Sequence, residues 1–338
     1  MSISTYDLAG EDLVNKSIFV LGGSATGKTT VLRNVILEVA PFVTGATVVC
    51  PSDKQNKSYS GGNGKEPLVP TPMIHHKFDI GILEKVKKRQ EKLLPKYDFI
   101  NNIRNLENIF NRVADKKHQK DVNEIYKHKS IEIDRIKMQD GSEKELEELH
   151  EKYIEHLQSL FKKYIIKNKD YILSHGTLDE SEKYIVENIE YNINYLVILD
   201  DISSDMKQVK NAKIIDDYIF MSRHFKVTFV LASHGSSIVS PQMRQNFHIS
   251  IFTDGLIMGD YVKKMEMPKD EKRLYVEYSK EITNSPPYTK LIYFKESSKF
   301  AHFSAKTFVN KTIGGVYFKQ YTKMLTLDEK EVTYADIK

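Results

Sequence analysis

Tryptophan is absent from this chain of 338 residues, and cysteine occurs once, at Cys50. A lone thiol cannot close an intrachain disulfide, so nothing in the sequence asks for an oxidising compartment. Cys50 ends the apolar run Thr47–Cys50 and reads as a core residue rather than a nucleophile. No apolar run has the length needed to cross a bilayer. The N-terminus lacks the basic start and apolar stretch of a signal peptide, so a soluble intracellular protein is expected. An excess of either charge is missing too: 50 Lys and Arg face 46 Asp and Glu, a formal net charge of +4. That balance permits nucleic-acid binding without arguing for it. The missing tryptophan, alongside frequent Lys, Asn, Ile and Tyr, reflects AT-rich coding rather than a physical constraint.

What remains is the composition of an ordinary globular protein, 40% hydrophobic and 28% charged. The length suits one large domain or two smaller ones. The β-branched run Ser17–Leu21, a Gly-rich turn, the amphipathic segment Lys28–Ala40 and the run Ala46–Cys50 read as strand, loop, helix, strand. Residues 52–72, with Gly61, Gly62, Gly64, Pro67, Pro70 and Pro72, read as a loop. Residues 80–192 are highly charged and read as helical. Ile103, Leu106, Phe110 and Val113 recur at three and four, as do Leu146, Leu149, Tyr153, Leu157, Leu160 and Tyr164. Ser142 with Glu145, and Thr177 with Glu180, have capping-box spacing. A turn near Asp140–Gly141 predicts a helical hairpin or short coiled coil. Buried-strand texture returns at Tyr195–Leu199, Val227–Ala232 and Ile249–Phe252, and Arg273–Tyr278 and Leu291–Phe294 alternate like strands. Continuous apolar strands separated by crossovers predict a parallel sheet covered on both faces. The expected fold is therefore α/β, a mostly parallel central sheet flanked by helices, with a long charged helical insertion. Its expected divisions are 1–79 and 193–254 for the two parts of the core, 80–192 for the insertion, and 255–338 for strands and a tail that complete or flank the core.

Gly22-Gly23-Ser24-Ala25-Thr26-Gly27-Lys28-Thr29 fits G-x-x-x-x-G-K-[ST] at every fixed position, with Thr30 beside it. Glycines let the backbone turn sharply and aim N–H groups at phosphate, and the helix that follows adds the positive end of its dipole. Lys28 would reach the β- and γ-phosphates of ATP, and Thr29 would place a hydroxyl on Mg²⁺. The motif follows an apolar strand and opens a helix, the context it requires. A second acidic element is expected at another strand end, and Leu199-Asp200-Asp201 supplies it. Asp200 is expected to hold Mg²⁺ through water and Asp201 to orient the attacking water, the bland alternative being a solvated strand end. The third element is Val227–Ala232 followed by Ser233 and His234, either of which would touch the γ-phosphate or the water.

Together these stretches resemble the FtsK–HerA superfamily of P-loop ATPases. Within it they look like the genome-packaging ATPases of large DNA viruses of the poxvirus and asfarvirus kind. Ile18–Thr29 is similar to the family's loop and Leu196–Asp201 to its acidic strand. Ser222-Arg223-His224 precedes the next strand as the family's Arg-His does, and Pro241, Arg244 and Asn246 keep its proline–arginine–asparagine pattern. Ile74-His75-His76 with Phe78, Asp79 and Gln90 matches an intervening segment loosely. The matched stretches lie within 17–90 and 195–254, less than half the chain. The resemblance implies ATP hydrolysis coupled to translocation of double-stranded DNA by a ring-like homo-oligomer, packaging a viral genome into a capsid. It implies an arginine that crosses to a neighbour's γ-phosphate, Arg244 first and Arg223 second, a capsid or membrane-associated portal component as partner, and a place in the host cytoplasm, virus factory or virion. One departure is that the family commonly carries glutamine where this chain has Ser233-His234.

Lysines cluster at Lys85, Lys87, Lys88 and Arg89, at Lys116 and Lys117, at Lys162 and Lys163, and at Lys167 and Lys169. Such groups suit phosphate contacts, yet Glu143, Glu145, Glu147, Glu148 and Glu151 share the region, which equally describes a solvated helix with paired charges. Two rival readings remain. A GTPase would carry Asn-Lys-x-Asp, and Asn168-Lys169-Asp170-Tyr171 has its acid one place early; a kinase would carry an arginine-rich lid, which this lysine-rich chain lacks. A nucleotide-switched scaffold that uses ATP only to assemble is the other.

Overall fold

A strand buried on both faces needs helices on both sides of its sheet. That condition applies to every residue of β2 (Ser17–Leu21), β3 (Gly45–Val49), β5 (Tyr195–Leu199), β6 (Val227–Ser233) and β7 (Ile249–Phe252). The computed structural model describes residues 4–61, 68–139, 141–202, 212–235, 239–283 and 289–305. Gly62, Gly64 and Pro67 of the expected loop, Asp140 of the expected turn and the tail beyond 305 lie outside the described residues. The remaining strands are β1 (Ser4–Thr5), β4 (Ile74–His75), β8 (Thr289–Phe294) and β9 (Lys299–Ser304). All nine join in one sheet, ordered β1-β9-β8-β7-β2-β6-β5-β3-β4. Neighbours from β7 to β4 run parallel. β8 runs against both β7 and β9, and β1 is parallel to β9. The molecule is thus α/β, with a mostly parallel central sheet flanked by helices.

Alternation along β2 distributes its side chains between the two faces. Ile18 and Val20 enter the core cluster that also holds Val31, Leu32 and Val35 of helix Lys28–Val39. Phe19 points the other way and stacks on Phe247, with ring centroids 4.7 Å apart. Tyr218, from helix Lys213–Phe225, stacks on Phe229 of β6 at 5.4 Å. Gln90 is fully buried, and its amide donates to the carbonyls of Ile193 and Phe225 at 2.8 Å each. A buried amide must find such partners, so Gln90 fastens the strand entries rather than facing a ligand.

The chain divides into two units, Met1–Glu91 with Ile193–Lys338, and Lys92–Asn192. The first contains the whole sheet. The second is helical throughout its regular elements among the described residues, including Ile103–Val113, Lys116–Met138 and Glu143–Lys167. Leu106, Phe110 and Leu157 of the three-four series are buried, and so are Phe161 and Ile165 beside it; Phe110 packs on Phe161 at 4.9 Å and on Tyr164 at 5.0 Å. Ser142 and Glu145 form the expected capping box. Among the described residues no helix is long and apolar enough to cross a membrane.

Two expectations are corrected. Arg273–Tyr278 belongs to helix Lys269–Thr283, not to a strand. Tyr275 and Ser279 are buried four residues apart while Arg273 and Glu277 pair on the outside at 3.3 Å, so the periodicity is helical despite the local alternation. The second capping box is Asp179 with Glu182, not Thr177 with Glu180: Asp179 accepts from the Glu182 N–H at 2.8 Å, and the helix starts at Glu180.

Candidate functional site

Parallel pairing brings the C-terminal ends of the central strands to one edge. Leu21 lies opposite Ser233 and Phe252, and Leu199 opposite Leu231. The residues that follow each strand, Gly22, Asp200, His234 and Thr253, therefore gather there. β6 lies between β2 and β5, which sets His234 between the glycine loop and the acidic pair. The reversed β8 brings its first residues to the same edge, since Leu291 pairs with Phe252.

The loop has the backbone that its glycines anticipate. Gly27 has φ +93°, and Ala25 also occupies the left-handed region at +60°. A Cβ on Gly22 would lie 1.7 Å from Thr253 Oγ1, so only glycine fits. Helix Lys28–Val39 then begins with no side-chain cap and no acid in its first turn. Its first N–H groups and its positive dipole end are left for an anion. Lys28 Nζ donates to the carbonyls of Gly22 and Gly23 at 2.8 and 2.7 Å and lies 3.1 Å from His234 Nδ1. Burial lowers the Lys28 ammonium below its usual pKa, while Asp200 and then Asp201 pull it back. A half-buried cation in this setting favours a charged partner such as phosphate. Thr29 and Thr30 stand on the first helical turn, half-buried.

Asp200 and Asp201 are adjacent in sequence but differ in environment. Asp200 is 7% exposed, and its Oδ2 accepts from the Tyr59 hydroxyl at 2.8 Å, with Cys50 Sγ at 3.9 Å. Burial raises its pKa above the usual carboxylate value, the Tyr59 hydrogen bond opposes this, and the Asp201 charge adds to it. Tyr59 is itself fully buried, and burial with Asp200 beside it holds the phenol protonated, hence a donor. Asp201 instead turns outward through a left-handed backbone, φ 56°, and His234 Nε2 lies 3.9 Å from its Oδ1. A desolvated carboxylate beside a threonine-bearing loop suits a hard cation with oxygen ligands. Thr29 and Asp200 thus fit Mg²⁺ by donor type.

Burial of the Asp200 carboxylate outweighs its hydrogen bond from Tyr59 and so weighs on stability. An acid whose folded pKa lies above its unfolded one binds its proton more tightly when folded. Its ionised form therefore weighs against folding once pH rises past the ordinary carboxylate value. Asp200→Asn keeps an oxygen for Tyr59 and removes the charge. It is expected to raise the melting temperature of the protein at pH 7. A lower melting temperature would contradict the desolvation reading.

The third strand end resolves into two different residues. Ser233 Oγ donates to the Gly235 carbonyl at 2.9 Å, and its own carbonyl accepts from Gly22 N–H at 3.2 Å. Ser233 is therefore used within the turn, and His234 is the one that reaches Lys28 and Asp201. Arg223 stands at the opposite edge, near the start of β6, and pairs with Glu296, which also meets Lys16 at 3.6 Å. Arg244 is half-buried in helix Pro241–Asn246, which Ser240 caps, and its carbonyl accepts from the Tyr261 hydroxyl at 3.0 Å. Cys50 is fully buried, as expected of a core residue, and burial with Asp200 nearby pushes its thiol up to about 12. Within the first lysine cluster, Lys87 pairs with Asp217 at 2.7 Å and Arg89 lies over the Tyr195 ring at 4.9 Å, whereas Lys85 and Lys88 are exposed.

Four contributors were not anticipated from sequence: Tyr59, Thr253, Asp254 and Lys290. Thr253 Oγ1 meets Thr26 Oγ1 at 2.5 Å, and Lys290 Nζ donates to the Thr26 carbonyl at 2.8 Å. Thr253-Asp254-Gly255 did carry a signal, a strand end running into an Asp-capped helix. Lys290 opens an apolar run, which marks a strand start and says nothing about its neighbour. Tyr59 lies in a loop with no periodicity to read.

No family model matches the chain. It is 24% identical to "Uncharacterized protein B354L" of African swine fever virus, over 94% of this chain and 91% of that protein, in the Warthog/Namibia/Wart80/1980 and Tick/Malawi/Lil 20-1/1983 isolates alike. The similarity thus runs over nearly the whole length of both proteins. Among solved structures, the genome packaging NTPase B204 of Sulfolobus turreted icosahedral virus 2 in complex with AMP aligns with a TM-score of 0.40 at 9% identity, over 87% of this chain and 98% of that one. The plasmid coupling protein TrwB in complex with a non-hydrolysable GTP analogue aligns at 0.36 and 10% identity, over 92% of each. The cytoplasmic domain of the Thermomonospora curvata type VII secretion ATPase EccC aligns at 0.38 and 12% identity, over 95% of this chain and 29% of that one.

Proposed function

We propose that this protein is an ATP-hydrolysing motor that moves double-stranded DNA, packaging a viral genome into its capsid. The observation that carries the ATPase part is the convergence at one sheet edge of Lys28, His234, Asp200 and Asp201 around an uncapped helix N-terminus. In this reading Gly22, Gly23, Ser24, Ala25, Thr26 and Gly27 cradle the phosphates of ATP, with Thr30 beside them. Lys28 leaves its backbone carbonyls to neutralise charge building on the γ-phosphoryl oxygens. Asp201 and His234 orient water in line with the bond to be broken. The new bond joins water oxygen to γ-phosphorus, the bond to the β–γ bridging oxygen breaks with that oxygen keeping the electron pair, and a proton of the water is released to solvent. Catalysis is positioning and electrostatics. Thr29 and Asp200 would hold Mg²⁺, which supplies Lewis-acid stabilisation of the phosphate oxygens when bound.

The DNA part is supported by the motif resemblance at Arg223-His224 and at Arg244 with Asn246, and by relatedness to a viral protein. A ring-like homo-oligomer is what the same resemblance implies, with an arginine of one subunit reaching its neighbour's γ-phosphate. A capsid or membrane-associated portal component is the partner this reading asks for, with the virus factory or virion as the location. The test is ATP turnover with and without long double-stranded DNA at two salt concentrations. Stimulation by DNA that fades with salt is expected, because phosphate contacts release counterions. Turnover indifferent to DNA would overturn the translocase reading and favour another P-loop enzyme or a nucleotide-switched scaffold.

A further inference from the structure

Lys290 is 4% exposed, at the head of the one reversed strand. A lysine this buried loses rotamer freedom and hydration and needs fixed partners. Its ammonium donates to the Thr26 carbonyl at 2.8 Å and lies 3.3 Å from where a Cβ on Gly27 would stand. Burial lowers its pKa, and the charge of Asp254 opposes that. Asp254 occupies the same flank of the loop: its Oδ2 lies 3.3 Å from the Cβ position of Gly23, and its Oδ1 caps helix Gly255–Lys263 at the Leu256 N–H. Thr253, one residue earlier, holds Thr26 Oγ1. The outer flank of the phosphate loop thus rests on a threonine, an acid and a lysine from β8 and the end of β7.

The peptide plane gives this contact a direction. Thr26 and Gly27 are joined by a trans bond, so the Thr26 carbonyl and the Gly27 N–H point opposite ways. A cation fixed on the carbonyl outside the loop turns the N–H to the inside, where phosphate oxygens would lie. Gly27 at φ +93° has wide freedom to rotate that plane, and a charged hydrogen bond removes the freedom. We propose that Lys290 is a positioning residue of the phosphate loop: its ammonium, seated on the Thr26 carbonyl, aims the Gly27 N–H into the cradle and stiffens the loop for a di- or triphosphate. Lys290 thereby ties the β8–β9 hairpin to nucleotide binding. The inference rests on Gly22–Thr29 being a phosphate site.

Two measurements on the full chain test it, one of them free of any ligand. With glycine-selective ¹⁵N labelling, the Gly27 amide is expected to be rigid in the unmodified protein, with an order parameter near ~0.85, and to fall below about 0.6 in Lys290→Met. Titration with inorganic pyrophosphate is expected to show Lys290→Met weaker by roughly tenfold to a hundredfold, the range of one charged hydrogen bond. Lys290→Arg, which keeps a cation and donors, is expected to recover both readouts in large part. Should Lys290→Met fail to fold, judged by its melting curve, Lys290→Gln carries the same two expectations. An unchanged Gly27 order parameter with unchanged pyrophosphate affinity would overturn the proposal. Lys28→Ala serves as the arm for the underlying reading. If the unmodified protein binds no pyrophosphate, the phosphate-site reading falls, and the order parameter still decides whether Lys290 positions the loop.

Discussion

Lys28→Ala is expected to lower ATP hydrolysis by at least about 10²–10³-fold, the loss typical of removing one preorganised donor from a developing oxyanion. The folded structure is expected to survive. Lys28 contributes no core packing; its ammonium spans the Gly22 and Gly23 carbonyls and His234 Nδ1. Gly23 is half-exposed, so its carbonyl can turn to water when the amine is gone. The cation's value lies in what it meets on binding. Burial already depresses its pKa, so a triphosphate that enters relieves a desolvated charge as well as gaining a contact. Steady-state phosphate release, with circular dichroism as the fold control, reads the outcome. Normal turnover in a folded Lys28→Ala protein would remove the phosphate-site assignment altogether.

Arg244→Ala is expected to cut kcat by about 10³-fold or more while leaving nucleotide affinity nearly unchanged, the signature of a finger arginine supplied by a neighbour. Arg223 is the alternative, and the two differ in what holds them. Arg223 is engaged with Glu296, which Lys16 also contacts, so its transfer to a neighbouring site would break an ion pair within its own chain. The Arg244 carbonyl accepts from the Tyr261 hydroxyl, which also meets Ser250 of β7, so the backbone of its helix is tied to the sheet. Mixing Arg244→Ala with Asp201→Ala distinguishes a finger in trans from a local role. Each variant supplies what the other lacks, so an interface with one intact site forms at mixed ratios and activity returns. Absence of rescue at every ratio would count against Arg244. The same cycle run on Arg223→Ala then decides between them.

The sequence by itself determined the central buried strands, their order of appearance and the glycine turn between the first strand and its helix. Ser17–Leu21, Tyr195–Leu199 and Ile249–Phe252 were legible because a strand buried on both faces needs an unbroken apolar run, a local property. The turn at Gly22 and Gly27 was legible for a similar reason: the backbone freedom it needs is encoded within a few residues. The second unit's interior followed in part from three-four spacing: Leu106, Phe110 and Leu157 of the series are buried, while Phe161 and Ile165 lie one position beyond its later members. Where local alternation and helical period compete over a short stretch, as at Arg273–Tyr278, the reading failed, and burial at Tyr275 and Ser279 settled it.

Only the tertiary structure decided which strand lies beside which, and that choice made the site. With β6 seated between β2 and β5, His234 faces both Lys28 and Asp201 while Ser233 is spent on its own turn. Two adjacent aspartates became a buried acid clamped by Tyr59 and an outward one in a left-handed bend, a split that no spacing rule contains. Lys290 reached Thr26 across 264 positions of sequence because β8 alone runs backwards and starts where the other strands end. Local sequence encodes conformation and reach; it does not encode pairing order, and a site assembled at the ends of paired strands inherits its geometry from that order.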